Sequence, residues 1–319
     1  MGRDRWAEWI LERRFGGDRA AAQEMIGHLR PVRDRVLERA ELREGETLLD
    51  VGCGDGLIAF GALERGAGRV IFSDVSQDLL DVSRELAAGE PRAEFVRASA
   101  ESLNPIADAS VDVVTTRSVL IYVADKARTF AEFLRVLKPG GRLSAFEPIN
   151  SFGHPERDGF WLGIEMGELW PLARRVRDRF DAMAGDAGPM LDFDERDLVE
   201  LAHETGFVAV DVLLEARIEP ARLWGQPPPP LERLLRTAPN PNAPTLDEVL
   251  HAELDARERE RLLTYVRPRF EAGDLVGRSA VAYLRARRAT DRAGTAGIGP
   301  SRGGTRTPRP GSSSDLRRR

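Results

Sequence analysis

The stretch that decides the fold is "LLDVGCGDG", residues 48–56. A short apolar run ends there in an acid, Asp50, and glycines follow at positions 52, 54 and 56. A buried strand followed by a glycine-rich turn and a helix is typical of sites where the backbone comes close to a ligand. The residues around the turn restrict which ligand that is.

The glycine spacing and two acids define the chemistry of this ligand. The dinucleotide pattern G-x-G-x-x-G requires glycine at position 57, where the chain has Leu57. Asp50 is unfavourable beside a pyrophosphate and suits a ligand with positive charge or N–H donors. Asp74 ends the next apolar run, where an acid can accept hydrogen bonds from both ribose hydroxyls. A ribose, a cationic end and no pyrophosphate are indicated, and S-adenosylmethionine has this composition.

Strands and helices alternate over residues 47–146, which predicts a parallel sheet covered by helices on both faces. The predicted strands are 47–51, 69–74, 93–98, 110–116, 142–148, 207–218 and 279–288. The predicted helices are 56–66, 76–88, 125–137 and 194–206, with mostly helical segments at 4–42 and 231–271. In the first of these segments Gly16-Gly17 is expected to break the helix, and Pro31 to kink it or to begin a new one.

Composition excludes several classes of protein. The single cysteine, Cys53, rules out an internal disulfide and a multi-cysteine metal site, so no metal is expected. A net charge of −5 argues against a nucleic-acid surface over the whole molecule. No apolar run approaches the ~20 residues of a membrane span, and "MGRDRWAEWI" lacks the apolar region of a signal peptide. We expect a cytoplasmic protein without a membrane span.

Five motifs in residues 47–146 resemble those of the class I S-adenosylmethionine-dependent methyltransferases, in the group that includes quinone and small-molecule methyltransferases. They are "LLDVGCGDG", "FSDVS", "VRASAESLNP", "SVDVVTTRSVLIYV" and "RVLKPGGRLSAFEP". The resemblance implies an α/β, Rossmann-like, doubly wound seven-stranded sheet with six parallel strands and one antiparallel strand. The predicted domains are an N-terminal helical lid (1–45), a methyltransferase domain (46–288) and a disordered tail (289–319). The domain has a core at 47–148 and helical insertions at about 149–192 and 219–275.

The resemblance also implies a cofactor site made of Asp50, Gly52, Cys53, Gly54, Asp74, Val75, Ser99, Ala100, Arg117 and Ser118. The methionine part is served by Asp50, Gly52, Cys53 and Gly54, with the Asp50 carboxylate on its ammonium group or on an ordered water. Asp74 holds the ribose, and the adenine is flanked by Val75, Ser99 and Ala100. Ser99 stands where many relatives have aspartate and is a weaker acceptor. Arg117 and Ser118 face the methyl group and the acceptor, although Arg117 could instead pair with a structural carboxylate.

Methyl transfer from a sulfonium is an in-line displacement, which depends mainly on alignment and on exclusion of water. A base is required only when the nucleophile must lose a proton. The catalytic candidates are His154, Glu147 and Tyr122, because each lies at or just beyond the end of a predicted strand. His154 is the leading candidate for a general base, and the alternative is a loop histidine without a role.

The acceptor is restricted by what the chain lacks. There is no N/D-P-P-Y/F motif of amino-group nucleic-acid methylases, and Lys126 and Lys138 are the only lysines. A small or apolar molecule such as a quinone or lipid remains, methylated on O, N or C, and no nucleic-acid partner is expected. Aromatic residues of the two insertions are expected to wall its pocket: Phe152, Phe160, Trp161, Trp170 and Trp224. The alternatives are a non-catalytic S-adenosylmethionine-binding module that partners another protein and, less favoured, a nicotinamide dehydrogenase.

Overall fold

The computed structural model describes residues 2–184, 188–220 and 229–290. Trp224 and residues 291–319 of the predicted tail lie outside this range. The predicted division into lid, domain and tail stays a prediction.

The core is a seven-stranded sheet in the order β3-β2-β1-β4-β5-β9-β8. Its strands are β1 (Thr47–Val51), β2 (Arg69–Asp74), β3 (Ala93–Arg97), β4 (Val111–Arg117), β5 (Leu137–Pro148), β8 (Phe207–Pro220) and β9 (Val276–Arg288). A separate two-stranded sheet consists of β6 (Phe160–Trp161) and β7 (Ile164–Glu165). β9 runs antiparallel to both β5 and β8, and the other central strands are parallel. The predicted sheet with one antiparallel strand is confirmed.

The α-helices are α1 (Arg5–Glu8), α2 (Arg19–Arg39), α3 (Leu57–Glu64), α4 (Gln77–Leu86), α5 (Lys126–Val136), α6 (Trp170–Ala184), α7 (Gly188–Leu191), α8 (Glu195–Thr205), α9 (Leu231–Leu235), α10 (Leu246–Glu253) and α11 (Ala256–Glu271). A π-helix spans Trp9–Arg13, and short 3₁₀ turns span Leu120–Tyr122, Asn150–Phe152 and Gly167–Leu169. Within the described ranges, no helix is long and apolar enough to cross a bilayer.

Side-chain caps begin two of the core helices, α4 and α5. The Ser76 hydroxyl accepts from the Leu79 amide at 3.1 Å, and the Asp125 carboxylate accepts from the Arg128 amide at 2.9 Å. Gly206, with φ of +107°, closes α8 in the left-handed conformation that glycine adopts without strain. These caps keep the ends of the connecting helices close to the ends of the strands.

The structure decides between the alternatives at Pro31 and corrects one strand boundary. Pro31 does not begin a new helix, because α2 runs through it and buries Val36 and Leu37 against the core, and the kink stays a prediction. The sequence "KPGG" belongs to β5, which begins at Leu137 and not at position 142. Helix α5 leads into β5 without a loop between them, because the Arg288 guanidinium caps the end of α5. It donates to the carbonyls of Leu134, Arg135 and Leu137.

The described residues form three hydrophobic cores. Two of them contain side chains of the central sheet, such as Ile71 in one and Phe72 in the other. A third core is built from the β6–β7 hairpin and helices α6, α9, α10 and α11. The insertions thus fold around an apolar centre of their own.

Candidate functional site

A cavity of about 940 Å³ lies where β1, β2 and β4 end. The implied cofactor residues that line it are Gly52, Gly54, Asp74, Val75, Ser99, Ala100, Arg117 and Ser118. Asp50 and Cys53 are buried and do not line it. This position, at the carboxyl ends of parallel strands, is where open α/β sheets bind ligands.

The glycine turn brings bare backbone to the cavity wall. Gly52 and Gly54 have φ of +66° and +54°. A Cβ atom on Gly52 would lie 2.3 Å from Val119 Cγ2, whereas one on Gly54 would meet only Ile10 Cδ1 at 3.6 Å. The Cys53 amide donates to the Ser73 carbonyl at 3.0 Å, and burial raises the pKa of the Cys53 thiol well above its ordinary value. Cys53 is therefore a small buried residue of the turn with a protonated thiol.

The Asp74 carboxylate lines the cavity beside the glycine turn. It accepts from the amides of Gly54 and Ser76, both at 2.9 Å, one on each oxygen. Burial raises the pKa of Asp74, and these two amides oppose the shift. Since each carboxylate oxygen can accept more than one hydrogen bond, both can also accept from a vicinal diol. Val75 beside it has 40 % of its surface exposed and offers an apolar face to a flat ring.

Asp50 is used within the fold. Its oxygens accept from the Thr115 hydroxyl at 2.9 Å and from the Ala59 amide at 3.2 Å. Burial raises its pKa to about 7, although these hydrogen bonds and the Arg117 charge act in the opposite direction. The carboxyl group therefore joins β1 to β4 and α3. Its implied contact with an ammonium group or an ordered water stays a prediction.

The segment after β4 turns sharply at the cavity wall. Ser118 has φ of +56°, a conformation that is uncommon outside glycine, and its amide donates to the Phe146 carbonyl at 2.8 Å. Beneath it, Glu147 Oε1 accepts from the amides of Val119 and Leu120 at 3.0 and 3.1 Å. Glu147 thereby fixes the backbone that carries Arg117 and Ser118 to the cavity.

The three catalytic candidates lie in different environments. Tyr122 lines the cavity, and burial raises its pKa to about 12, so its hydroxyl is protonated at neutral pH. Glu147 is fully buried behind the wall, and burial raises its pKa to about 7. His154 is exposed and lies off the cavity, because the 3₁₀ turn at Asn150–Phe152 leads the chain away and the His154 amide donates to the Asn150 carbonyl. Of the three, Tyr122 alone is placed to contact a ligand directly.

Comparison with known proteins agrees with this geometry. A methyltransferase-domain family model matches residues 49–145. The chain is 38 % identical over 184 residues to a ubiquinone/menaquinone biosynthesis C-methyltransferase of Klebsiella pneumoniae (strain 342), covering 55 % of this chain and 72 % of that one. It is 32 % identical over 176 residues to the enzyme of the same name from Cronobacter sakazakii, covering 48 % and 70 %. The chain belongs to the class I S-adenosylmethionine-dependent methyltransferases.

Other matches are shorter or more distant. Two further curated relatives are matched over 35 % and 49 % of their own length. A Haemonchus contortus phosphoethanolamine N-methyltransferase structure aligns with a TM-score of 0.49 at 19 % identity, covering 89 % of this chain and 56 % of that chain.

The residues of this methyltransferase fit S-adenosylmethionine. Gly54 presents backbone where a side chain would project into the cavity, and Asp74 has acceptor capacity left for two ribose hydroxyls. The Ser99 hydroxyl already accepts from the Glu101 amide at 3.3 Å, which supports its description as a weak partner for an adenine amine. Among the described residues, no cluster of three or more His, Cys, Asp or Glu side chains could hold a metal.

The aromatic walls of the cavity differ from those expected. Trp161 and Trp170 belong to the third core, Phe152 packs against the sheet, and Phe160 stacks on Arg157; none of these four lines the cavity. The physical reason is that the insertion uses the two tryptophans to stabilise itself. The aromatic lining comes from Trp6, Trp9, Phe15, Tyr122, Phe146 and Tyr283. The Trp6 and Trp9 spacing in the N-terminal segment was the available signal for two of these.

Several hydrogen bonds hold the N-terminal segment over the cavity, and two of them define its position. Trp9 Nε1 donates to the Ala238 carbonyl at 2.8 Å, which ties the segment to the helical insertion. The Ser76 hydroxyl donates to the Asp4 carboxylate at 2.7 Å, next to Asp74, which accepts from the Ser76 amide. Between these points Trp6, Trp9 and Tyr122 pack edge to face, with ring centroids 5.1 to 6.3 Å apart. The segment therefore covers the middle of the cavity.

Proposed function

We propose that this protein transfers a methyl group from S-adenosylmethionine to a small or largely apolar acceptor, on O, N or C. The supporting observation is that a single cavity joins the glycine turn and Asp74 to an apolar space walled by Leu29, Val32 and Phe146. Its volume of about 940 Å³ is near the upper end of the range for ligand pockets, which extends to about 1,000 Å³. The cavity can therefore hold the cofactor and the acceptor at the same time.

In this proposal, residues in different parts of the cavity contact different parts of the cofactor and the acceptor. Asp74 accepts from the ribose hydroxyls, Val75 and Ala100 flank the adenine, and the backbone of Gly52 and Gly54 borders the methionine part. The bound cofactor supplies an electrophilic methyl group on a sulfonium. Arg117, Ser118 and the other side chains beyond the turn bind and orient the acceptor.

Exclusion of water follows from the anchored N-terminal segment. Trp6 and Trp9 place indole rings across the cavity and contact the Tyr122 ring. A water-poor site strengthens the electrostatic contacts that align the reacting groups. Because His154 is off the cavity and Glu147 lies behind its wall, we infer that neither of them takes a proton from the acceptor.

Calorimetry with S-adenosylhomocysteine tests the cofactor assignment. We expect binding to the wild-type chain and at least about ten-fold weaker binding to Asp74→Asn, whose amide cannot serve both backbone donors and a diol. Asp81→Asn is the matched control, because Asp81 lies on the outside of α4 with Gln77 and Arg84. Binding of NAD in place of S-adenosylhomocysteine, or equal binding by the two variants, would contradict the proposal.

A further inference from the structure

Two arginines that are far apart in the sequence, Arg14 and Arg117, line the same cavity. Arg14 follows the π-helix of the N-terminal segment, and Arg117 ends β4. Both line the cavity, and both are partly buried. They are close enough for the positive charge of Arg117 to lower the pKa of Arg14, in addition to the effect of burial. Bringing two like charges together in a largely apolar pocket is costly unless a ligand compensates them.

Neither guanidinium has a counter-ion among the described residues. Within the part of the chain that the structure describes, no hydrogen bond or ion pair involves the guanidinium of Arg14 or that of Arg117. Arg14 stacks on the Trp9 and Phe15 rings, at 5.3 and 5.4 Å, which orients its charge without neutralising it. Asp55 is the carboxylate whose charge acts on Arg14, and it is not within ion-pair distance.

By contrast, Arg35 and Arg233 also line the cavity and are paired with carboxylates, Arg35 with Glu215 and Arg233 with Asp18 at 3.4 Å. Arg14 and Arg117 thus differ from them in lacking an ion-pair partner among the described residues, although the charge of Arg117 acts on the buried Asp50 and Glu147. Tyr122 lies in the same region, because its ring packs against the Trp9 ring on which Arg14 stacks, and the charges of both arginines act on its hydroxyl. Two guanidiniums and a phenol supply hydrogen-bond donors around one space, which is suited to a planar anion.

We propose that Arg14, Arg117 and Tyr122 form a carboxylate site that binds the acidic group of the methyl acceptor. The walls beyond it are apolar and include Met25, Leu29, Val32 and Val281. The acceptor class is thus an amphipathic acid, with its anionic group between the two arginines and its apolar body along α2 and β9. This inference rests on the proposed function and specifies its substrate class.

The methionyl carboxylate of the cofactor has the same chemistry, so the test must separate the two sources. The probes are 2-naphthoate and its neutral counterpart 2-naphthamide, titrated into protein saturated with S-adenosylhomocysteine. We expect the wild-type chain to bind naphthoate at least about ten-fold more tightly than naphthamide, because hydrogen bonds to charged groups are strong in a desolvated site. Arg14→Met and Arg117→Met should each remove most of that preference, and the affinity for S-adenosylhomocysteine is measured alongside for each variant.

Arg278→Met is the matched control, because Arg278 stacks on Phe152 at 5.3 Å outside the cavity. It should keep both affinities at wild-type values. If the two cavity variants weaken S-adenosylhomocysteine binding and leave the naphthoate preference intact, the anion is the cofactor's own and the inference is overturned. Equal binding of the two probes by the wild-type chain also overturns it. Failure of the wild-type chain to bind S-adenosylhomocysteine overturns the proposed function instead.

Discussion

Replacing Gly52 by alanine should destabilise the protein through two separable effects. The residue has φ of +66°, which costs an L-residue about 1–2 kcal/mol. The added Cβ would also lie 2.3 Å from Val119 Cγ2, and overpacking of this kind adds about 1–3 kcal/mol. Val119 is β-branched and stiff at χ1, so it cannot rotate away cheaply. The free energy of unfolding should therefore fall by about 2–5 kcal/mol in total.

Gly89→Ala separates the backbone effect from the contact. Gly89 has φ of +84°, and a Cβ atom added to it would have no neighbour within 4 Å, so only the backbone cost of about 1–2 kcal/mol applies. Urea unfolding followed by tryptophan fluorescence measures each variant. Val119→Ala combined with Gly52→Ala should recover the contact part, as a positive coupling in a double-mutant cycle. Equal destabilisation by Gly52→Ala and Gly89→Ala, or no coupling, would refute the close approach of Gly52 and Val119.

Three further outcomes are expected. Burial raises the pKa of Asp50 and of Glu147 to about 7, so the native state binds more protons than the unfolded chain between about pH 4 and 7. The free energy of unfolding should therefore fall as pH rises through that range and level off above it. Urea unfolding at pH 5 and pH 8 would contradict this expectation if the free energy of unfolding were higher at pH 8. Glu147→Gln should reduce that decrease, by at most ~3 kcal/mol, and an unchanged pH profile would show that Glu147 does not titrate in this range. Trp9→Phe removes the hydrogen bond to the Ala238 carbonyl and should lower the free energy of unfolding by about 1–2 kcal/mol. Limited proteolysis should then cleave the N-terminal segment faster. An unchanged cleavage rate would mean that this hydrogen bond does not anchor the segment.

The central sheet was predictable because its signals are local. Buried parallel strands appear as short continuous apolar runs, and capping residues such as Ser76 and glycines such as Gly206 mark the ends of helices. That Gly52, Gly54 and Asp74 line one cavity was predictable for the same reason, since each lies at or just beyond a strand end. A strand end and its turn are close in sequence as well as in space.

The cavity walls beyond the glycine turn were not predictable, because they consist of residues that are far apart in the sequence. Trp9 reaches Ala238, and Tyr283 of the last strand packs on Phe146 with ring centroids 5.0 Å apart. Sequence alone also does not distinguish an aromatic residue of a pocket from one of a core. Trp161, with 4 % of its surface exposed, illustrates this, since it stabilises the insertion.

Transfer of label from methyl-labelled S-adenosylmethionine is the most direct test of the proposed activity. The purified chain is incubated with lysate of the source organism, with Asp74→Asn as the control, and the products are separated into organic-soluble, small polar, protein and RNA fractions. We predict label in the organic-soluble or small polar fraction that depends on the wild-type chain. Label in protein or RNA would contradict the acceptor class, and no label despite S-adenosylhomocysteine binding would contradict catalysis and favour a cofactor-binding module.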